Sequence, residues 1–179
     1  LQFLNLDIVP AVPSQGSVGS SGDLVQLSHI ALALIGKGSI LMENGEVISS
    51  KTVLQENNIK PVVLKAKEGL ALINGTQMMC SFGGLSVEKA RKLANIADIS
   101  GALSLDALRG TDRAFDERIH KLRGFSGQLQ TAKNLRELLS GSQIRESHRT
   151  GDDRVQDAYS LRCMPQVHGA SRDAINYVF

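Results

Sequence analysis

Apolar residues recur at helical spacing along most of the chain, and this pattern predicts a mainly α-helical protein. The first helix is predicted from about Asp23 to Ile35, with Leu24, Leu27 and Leu34 on its apolar face. Asp23 stands where an N-cap or first-turn residue is expected. Because this helix is apolar almost all round, we expect it to be buried and the loop before it to lie in the interior.

The helical pattern returns at Lys65 and predicts a set of central helices over about residues 65–140. It is interrupted once, at Ile73-Asn74-Gly75-Thr76-Gln77, where Asn and Gly indicate a helix end or a functional break. A long amphipathic helix is predicted from Leu85 to Leu108, and its many small residues favour close helix packing.

Strand patterns are confined to the first third of the chain. Apolar and polar residues alternate from Ser39 to Ser50 around Asn44-Gly45, which predicts a hairpin with a type I′ turn. The apolar segment from Leu1 to Pro13 holds two prolines and is predicted to be extended. The fold class predicted is therefore mainly α, with part of a long-helix bundle and a small β-hairpin near the glycine-rich stretch that follows Pro13.

Composition narrows the class of protein. The 179 residues are 42% hydrophobic and 21% charged, which is ordinary for a globular protein, and the net charge of +2 argues against a nucleic-acid partner. Cys80 and Cys163 lie far apart without metal-ligand spacing, so we expect free thiols in a reducing compartment and no metal. With no signal peptide and no apolar run of membrane-spanning length, we expect a cytoplasmic protein without membrane contact.

The stretch Gly16-Ser17-Val18-Gly19-Ser20-Ser21-Gly22-Asp23-Leu24 admits three interpretations. A phosphate cradle does not fit, because the glycine spacing matches neither common phosphate-binding loop. A capped turn explains the glycines and the aspartate but not the Ser-Ser-Gly triplet. The third interpretation is self-cyclisation: the Gly22 amide nitrogen attacks the Ser20 carbonyl carbon, and the loss of two waters, one from the Ser21 hydroxyl, leaves an electrophilic methylidene.

A second informative segment runs from Arg154 to Val167. Tyr159 and Arg162 are three residues apart, so in a helical turn they can face the same point, and arginine suits a carboxylate ligand. Taken alone, the residues favour a simpler surface pair between Arg162 and Asp157. Packing or hydrogen-bonding roles are predicted for three histidines, and an exposed, mobile loop for the fourth, His148; the three are His29, His120 and His168.

The first of these segments resembles a known signature. Val12-Pro13, the stretch from Gly16 to Leu24, and the following Leu27-Ser28-His29 are similar to the aromatic amino-acid ammonia-lyases. That family makes a 4-methylidene-imidazol-5-one (MIO) electrophile from Ala-Ser-Gly, with no external cofactor. The resemblance implies that Ser20, Ser21 and Gly22 form the MIO ring here, with Ser20 in place of alanine. We call residues 13–24 the electrophile loop.

Two further segments match the same family. Asn74 stands where the family places an Asn-Gly-Thr asparagine near the electrophile, and Gln77 is typical of histidine-specific members. The segment Gln156-Asp-Ala-Tyr-Ser-Leu-Arg-Cys-Met-Pro-Gln-Val167 is similar to the family's substrate-binding signature. By that resemblance Gln156 and Tyr159 contact substrate or electrophile, Arg162 holds the substrate carboxylate, and Asn74 and Tyr159 stabilise the reacting group. We call residues 147–166 the substrate loop.

The resemblance implies a reaction and an assembly. Arg-Cys-Met-Pro-Gln-Val is typical of the histidine-specific members, which eliminate ammonia from L-histidine to give trans-urocanate as homotetramers. Family members are longer and place the catalytic base outside the matching region, so we expect residues 1–179 to be one piece of a larger chain, inactive by itself. The alternatives are a tyrosine or phenylalanine ammonia-lyase, an aminomutase, and a non-catalytic fragment that only self-associates.

Overall fold

The computed structural model describes residues 1–179. The chain forms two compact units, residues 1–83 and 84–179, and each is described by itself. The first unit holds these elements: α1 (Gln2–Asn5), β1 (Val9–Pro10), α2 (Leu24–Leu34), β2 (Ser39–Leu41), β3 (Val47–Ser49), α3 (Ser50–Glu56) and α4 (Glu68–Ile73). Helix α5 (Gln77–Ala107) contains the boundary between the units.

The second unit continues with five helices and one 3₁₀ turn, Asp112–Phe115. The helices are α6 (Glu117–Arg123), α7 (Ser126–Leu138), α8 (Gln143–Ser147), α9 (Tyr159–Arg162) and α10 (Met164–Val178). Long helices dominate, and the strands are few and short. The predicted fold class, mainly α with a small hairpin, is thereby confirmed.

A small antiparallel sheet and helices α2 and α3 form the core of the first unit. The strands lie in the order β1-β2-β3, with Val9 opposite Leu41 and Ile40 opposite Ile48. Six buried apolar side chains pack together there: Ile8, Ala33, Ile40, Val53, Leu54 and Ile59. Since β1 leads directly into the electrophile loop and α2 follows it, this core fixes both ends of the loop.

Two local predictions for the first unit are wrong. Residues 1–13 are not simply extended, because α1 precedes β1 and β1 adds a third strand to the hairpin. The turn at Asn44-Gly45 is not type I′, since Gly45 has φ of +84° while Asn44 keeps a negative φ. The Asn44 side chain instead accepts a hydrogen bond from the Glu46 amide at 2.9 Å, which favours a longer turn.

The second unit is held together by close packing of α7 against α10. Gly127 and Gly169 lie at the crossing, where a Cβ on Gly169 would be 2.5 Å from Cα of Gln128. The apolar core of the second unit consists of Ala102, Leu105, Phe115, Leu135, Leu139 and Met164. Helices α6 and α7 lie within the predicted helical region of about residues 65–140, and Pro165 lies in the first turn of α10.

A buried carboxylate joins three helices of the second unit. Asp98 on α5 is 1% exposed and accepts hydrogen bonds from Asn134 at 2.7 Å, His168 at 2.9 Å and Arg172 at 2.6 Å. These partners compensate for the desolvation of the charge. His120 is also fully buried, between Ala114 O and the Gln128 side chain, so these histidines have the hydrogen-bonding roles that were predicted.

Candidate functional site

The backbone of the electrophile loop is bent sharply at the predicted tripeptide. Gly19, Ser21 and Gly22 have φ of +66°, +63° and +100°. Glycine adopts such values freely, but a serine in the left-handed region costs about 1–2 kcal/mol. The surrounding contacts must therefore hold Ser21 in place. A forced bend at this point is what ring closure between Ser20 and Gly22 requires.

The base of the bend rests against the break between α4 and α5. The Asp23 amide donates a hydrogen bond to the Gly75 carbonyl at 2.7 Å. A Cβ on Gly22 would overlap the same carbonyl, so only glycine fits this contact. The sequence predicted the interruption at residues 73–77, and the structure shows that it receives the end of the electrophile loop.

Asp23 is the buried anchor of this arrangement. It is fully buried, and its carboxylate accepts hydrogen bonds from the Ser17 hydroxyl at 2.7 Å and the Met79 amide at 2.8 Å. Asp23 occupies the N-cap position of α2, but its side chain makes no bond to that helix. It instead satisfies an amide in the first turn of α5. Sequence reasoning identified the residue and missed its partner.

Asn74 lies directly beside the tripeptide. It ends α4, and its side-chain oxygen accepts a hydrogen bond from the Ser21 hydroxyl at 3.3 Å. Residues 53 positions apart in the chain are thereby brought together. An amide in this position can orient the Ser21 hydroxyl and stabilise charge that develops next to it.

The expectation that the electrophile loop lies in the interior is wrong for this chain. Residues 14–21 are exposed, and the Val18 side chain is 87% exposed. The loop is held mainly at its base, through Gly22 and Asp23, with further hydrogen bonds from the Ser17 and Ser21 hydroxyls. Helix α2 buries one face, including Leu27 and Ala33, and leaves other apolar residues half-exposed. The apolar composition of the helix therefore predicted more burial than the structure shows.

In the second unit, Tyr159 and Arg162 meet on one turn of α9. The Arg162 guanidinium lies over the Tyr159 ring, 4.8 Å from its centroid, as in a cation–π pair. Nε of Arg162 donates to the Asp157 carbonyl at 2.8 Å. No hydrogen bond of this structure engages its two Nη atoms. The simpler interpretation, an ion pair with the Asp157 carboxylate, is therefore wrong.

Arg162 and Gln156 line the same cavity, which has a volume of about 530 Å³. Five arginines face it, and three are paired with carboxylates: Arg145 with Asp112, Arg149 with Glu146, and Arg154 with Asp152. Hydrogen bonds from Arg154 lower the pKa of Asp152 to about 2, and those from Arg149 lower the pKa of Glu146. Arg162 is the half-buried arginine of this wall without a carboxylate partner, and its positive charge is available for an anionic ligand.

His148 departs from the predicted exposed loop, whose other residues, Ser147 and 149–154, are exposed as predicted. It is 5% exposed, and its ring nitrogens lie 2.7 Å from Ile144 O and 3.0 Å from Gly110 O. Polar composition around it suggested a mobile segment, but composition does not show which side chain turns inward. The substrate loop is thus tied to α8 and to the end of the α5 segment.

The candidate residues fall into two groups. Ser20, Ser21, Gly22 and Asn74 belong to the first unit, and Gln156, Tyr159 and Arg162 belong to the second. Within each group the structure brings residues together as the sequence suggested: Ser21 with Asn74, and Tyr159 with Arg162. No group of three or more His, Cys, Asp or Glu side chains has an arrangement that could hold a metal ion.

The chain is similar to known proteins over its whole length. The family model described as aromatic amino acid lyase matches residues 1–179. The chain is 58% identical over 176 residues to a histidine ammonia-lyase of Koribacter versatilis, an alignment that covers 98% of this chain and 34% of the relative. It spans about a third of the length of the curated relatives it matches.

Solved structures show the same similarity. A tyrosine aminomutase from Streptomyces globisporus superposes with a TM-score of 0.86 at 40% identity, covering 98% of this chain and 36% of that one. A histidine ammonia-lyase from Trypanosoma cruzi superposes with a TM-score of 0.83 at 40% identity, covering 99% and 32%. With a family match over its whole length and a site of the expected residues, this chain belongs to the aromatic amino acid lyase family.

Proposed function

We propose that this chain is the electrophile-bearing part of a histidine ammonia-lyase, which eliminates ammonia from L-histidine to give trans-urocanate. The observation that carries the proposal is the strained Ser20-Ser21-Gly22 bend, held against Gly75 and beside Asn74. The names of the curated relatives support histidine as substrate. The segment Arg162-Cys163-Met164-Pro165 supports the same choice.

The residues of the bend fit the MIO group of the family. Ring closure joins the Gly22 nitrogen to the Ser20 carbonyl carbon and releases two waters, the second from the Ser21 hydroxyl. Positive φ at Ser21 and Gly22 supports this closure, and Ser20 contributes only backbone atoms. Once formed, the group supplies an electrophile that makes the amino group of the substrate a better leaving group. No external cofactor is part of the proposal.

The second group of residues suits a substrate carboxylate. The free Nη atoms of Arg162 match the two oxygens of a carboxylate, and the contact with the Tyr159 ring helps to position the guanidinium. Gln156, on the wall of the same cavity, is proposed to contact the substrate as well. Tyr159 and Asn74 are proposed to orient the reacting groups.

Assembly into a homotetramer and a cytoplasmic location belong to the same proposal. Exposed apolar side chains along α5 support association between chains; they include Leu85, Leu93, Ile96 and Leu103. Both cysteines are free thiols, which supports a reducing compartment. None of the helices combines the length and the apolar character that a membrane crossing demands.

A chimera tests the proposed function. The matching 176 residues of the Koribacter versatilis histidine ammonia-lyase are replaced by this chain, and urocanate is followed by its absorbance. We expect turnover of L-histidine by the chimera and none by the 179-residue chain alone. An assembled chimera that releases no urocanate would refute histidine ammonia-lyase activity.

The same assay addresses a second candidate function, that of a tyrosine or phenylalanine lyase or aminomutase. The tyrosine aminomutase structure favours this candidate, because its identity to the chain, 40%, equals that of the histidine ammonia-lyase structure. L-tyrosine and L-phenylalanine are offered in place of L-histidine, and both the unsaturated acid and the β-amino acid are measured. Preference for either substrate would replace histidine in the proposal. Absence of turnover with all three would favour a non-catalytic, self-associating chain.

A further inference from the structure

We propose that Asp157 is a positioning residue, which holds the Arg162 guanidinium ready for a carboxylate ligand; this inference rests on the proposed function. The direct link is the hydrogen bond from Nε of Arg162 to the backbone carbonyl of Asp157, 2.8 Å long. The Asp157 side chain acts indirectly, by fixing the position of that carbonyl.

The Asp157 carboxylate is buried and turned away from Arg162. Its side chain is 4% exposed, and Oδ2 accepts a hydrogen bond from the Thr111 amide at 2.6 Å. Oδ1 lies 3.6 Å from Nη1 of Arg154. A buried carboxylate that receives a short amide bond is a strong local anchor. Residues 156–158 therefore cannot move without leaving this anchor.

Thr111 is itself held rigidly. It caps the 3₁₀ turn that follows it, and its hydroxyl accepts from Nη2 of Arg145 at 3.1 Å. Arg145 is 3% exposed and bonds to Asp112 at 2.7 Å. A continuous set of contacts thus runs from Arg145 through Thr111 and Asp157 to Arg162.

This arrangement has two consequences for Arg162. Because Nε is bonded to the Asp157 carbonyl and the guanidinium lies over the Tyr159 ring, the group is positioned before a ligand arrives, with its two Nη atoms available. Because the Asp157 carboxylate is bound to the Thr111 amide, it forms no ion pair with Arg162. The positive charge of Arg162 is then available to a ligand. Loss of the Asp157 carboxylate should release the backbone carbonyl that holds Nε, and so remove the positioning of the guanidinium.

The test compares two imidazole ligands, of which only one carries a carboxylate. Urocanate carries one, and histamine has the imidazole without it; both are titrated calorimetrically into the chimera described above. We expect Asp157→Ala to weaken urocanate binding about tenfold while histamine binding stays within about twofold of the parent. Asp157→Asn keeps an acceptor for the Thr111 amide and should restore urocanate binding to within about threefold.

Asp116→Ala is the matched control. Asp116 also accepts a backbone amide, that of Arg118, and caps α6 in the same unit. We expect it to change the binding of neither ligand. Equal weakening of both ligands by Asp157→Ala, or no weakening of urocanate, would overturn the proposal.

A crystal structure of the unsubstituted chimera with urocanate gives a second measurement that needs no variant to fold. The carboxylate should bind Nη1 and Nη2 of Arg162 while Nε stays on Asp157 O. A guanidinium that turns Nε toward the ligand would contradict the proposal. The turnover assay tests the proposed function, and the binding measurements test the role of Asp157. The two failures are distinguishable because a ligand can bind through its carboxylate without being turned over.

Discussion

At the scale of single residues, Gly22 carries the tightest constraint in the electrophile loop. Its φ of +100° and its approach to the Gly75 carbonyl both require the absence of a side chain. Gly19 shares the positive φ, at +66°, but a Cβ there would meet no atom within 4 Å. Gly22 therefore has both the steric overlap and the larger backbone strain, since +100° lies outside the left-handed region that L-residues adopt.

We predict that Gly22→Ala abolishes ring formation in the chimera and destabilises the 179-residue chain by about 1–3 kcal/mol more than Gly19→Ala does, because the former adds an overlap with Gly75 and the larger backbone strain. Urea unfolding measures the stability, and peptide mass measures the ring. Equal losses for the two substitutions would show that the contact with Gly75 is unimportant.

Residue identities were predictable, and residue partners were not. Asn74 and the tripeptide could be singled out from short segments of sequence. That Asp23 bonds to the Met79 amide, 56 residues away, depends on how α5 begins beside the loop. The contact of Asp157 with Thr111, 46 residues away, is of the same kind. Such pairs depend on tertiary structure, which periodicity does not contain.

At the scale of elements, the substrate loop is ordered by its own ion pair. Arg154 bonds to Asp152 and also donates to the carbonyls of Leu108 and Arg109, just beyond the end of α5. The sequence pattern predicted a mobile segment because it is polar. Local pairing of opposite charges, together with the burial of His148, connects this largely exposed segment to residues 108–110.

The ion pair predicts a pH dependence. Hydrogen bonds from Arg154 lower the pKa of Asp152 from 3.8 to about 2, so folding favours the charged carboxylate. Its contribution to stability is complete above about pH 4 and is lost as pH falls through about 2.

Carboxyl NMR of Asp152 should follow this titration in the folded chain, and Arg154→Gln should return the pKa toward its ordinary value. A midpoint near 3.8 in the unsubstituted chain would contradict the ion pair.

The bounds of α2 and the break before α5 were predicted well, and so was the end of α5, but α5 begins at Gln77, eight residues before the predicted Leu85. The hairpin was predicted, but its turn type was not. The Asn44 side chain accepts a hydrogen bond from the Glu46 amide, and the Asn44 backbone keeps a negative φ. Burial was predicted least well. A chain read alone does not show which apolar faces are covered within it and which are left open.

At the scale of the whole molecule, each unit contains a close approach between backbone segments that are distant in the chain. In the first unit Gly22 meets Gly75, and in the second Gly169 meets Gln128 where α10 crosses α7. Neither approach could be predicted, since it joins residues distant in sequence. At neither Gly22 nor Gly169 is there room for a Cβ atom.

We predict that Gly169→Ala destabilises the chain by about 1–3 kcal/mol, because its Cβ would press on the Gln128 backbone. Gly84→Ala is the matched control: Gly84 is also helical, has open space around it, and should stabilise by about 0.5–1 kcal/mol. Thermal unfolding of the two variants measures both effects. Changes of the same sign would contradict the packing of α7 against α10.

The most direct test of the account is the accurate mass of the peptide that spans Ser17 to Leu24, released from the chimera. We predict a deficit of two waters, which would place Ser20, Ser21 and Gly22 in the ring. Ser21→Ala should lose at most one water, because the second comes from the Ser21 hydroxyl. An unmodified mass in an assembled, folded chimera would contradict the claim that this loop makes its own electrophile.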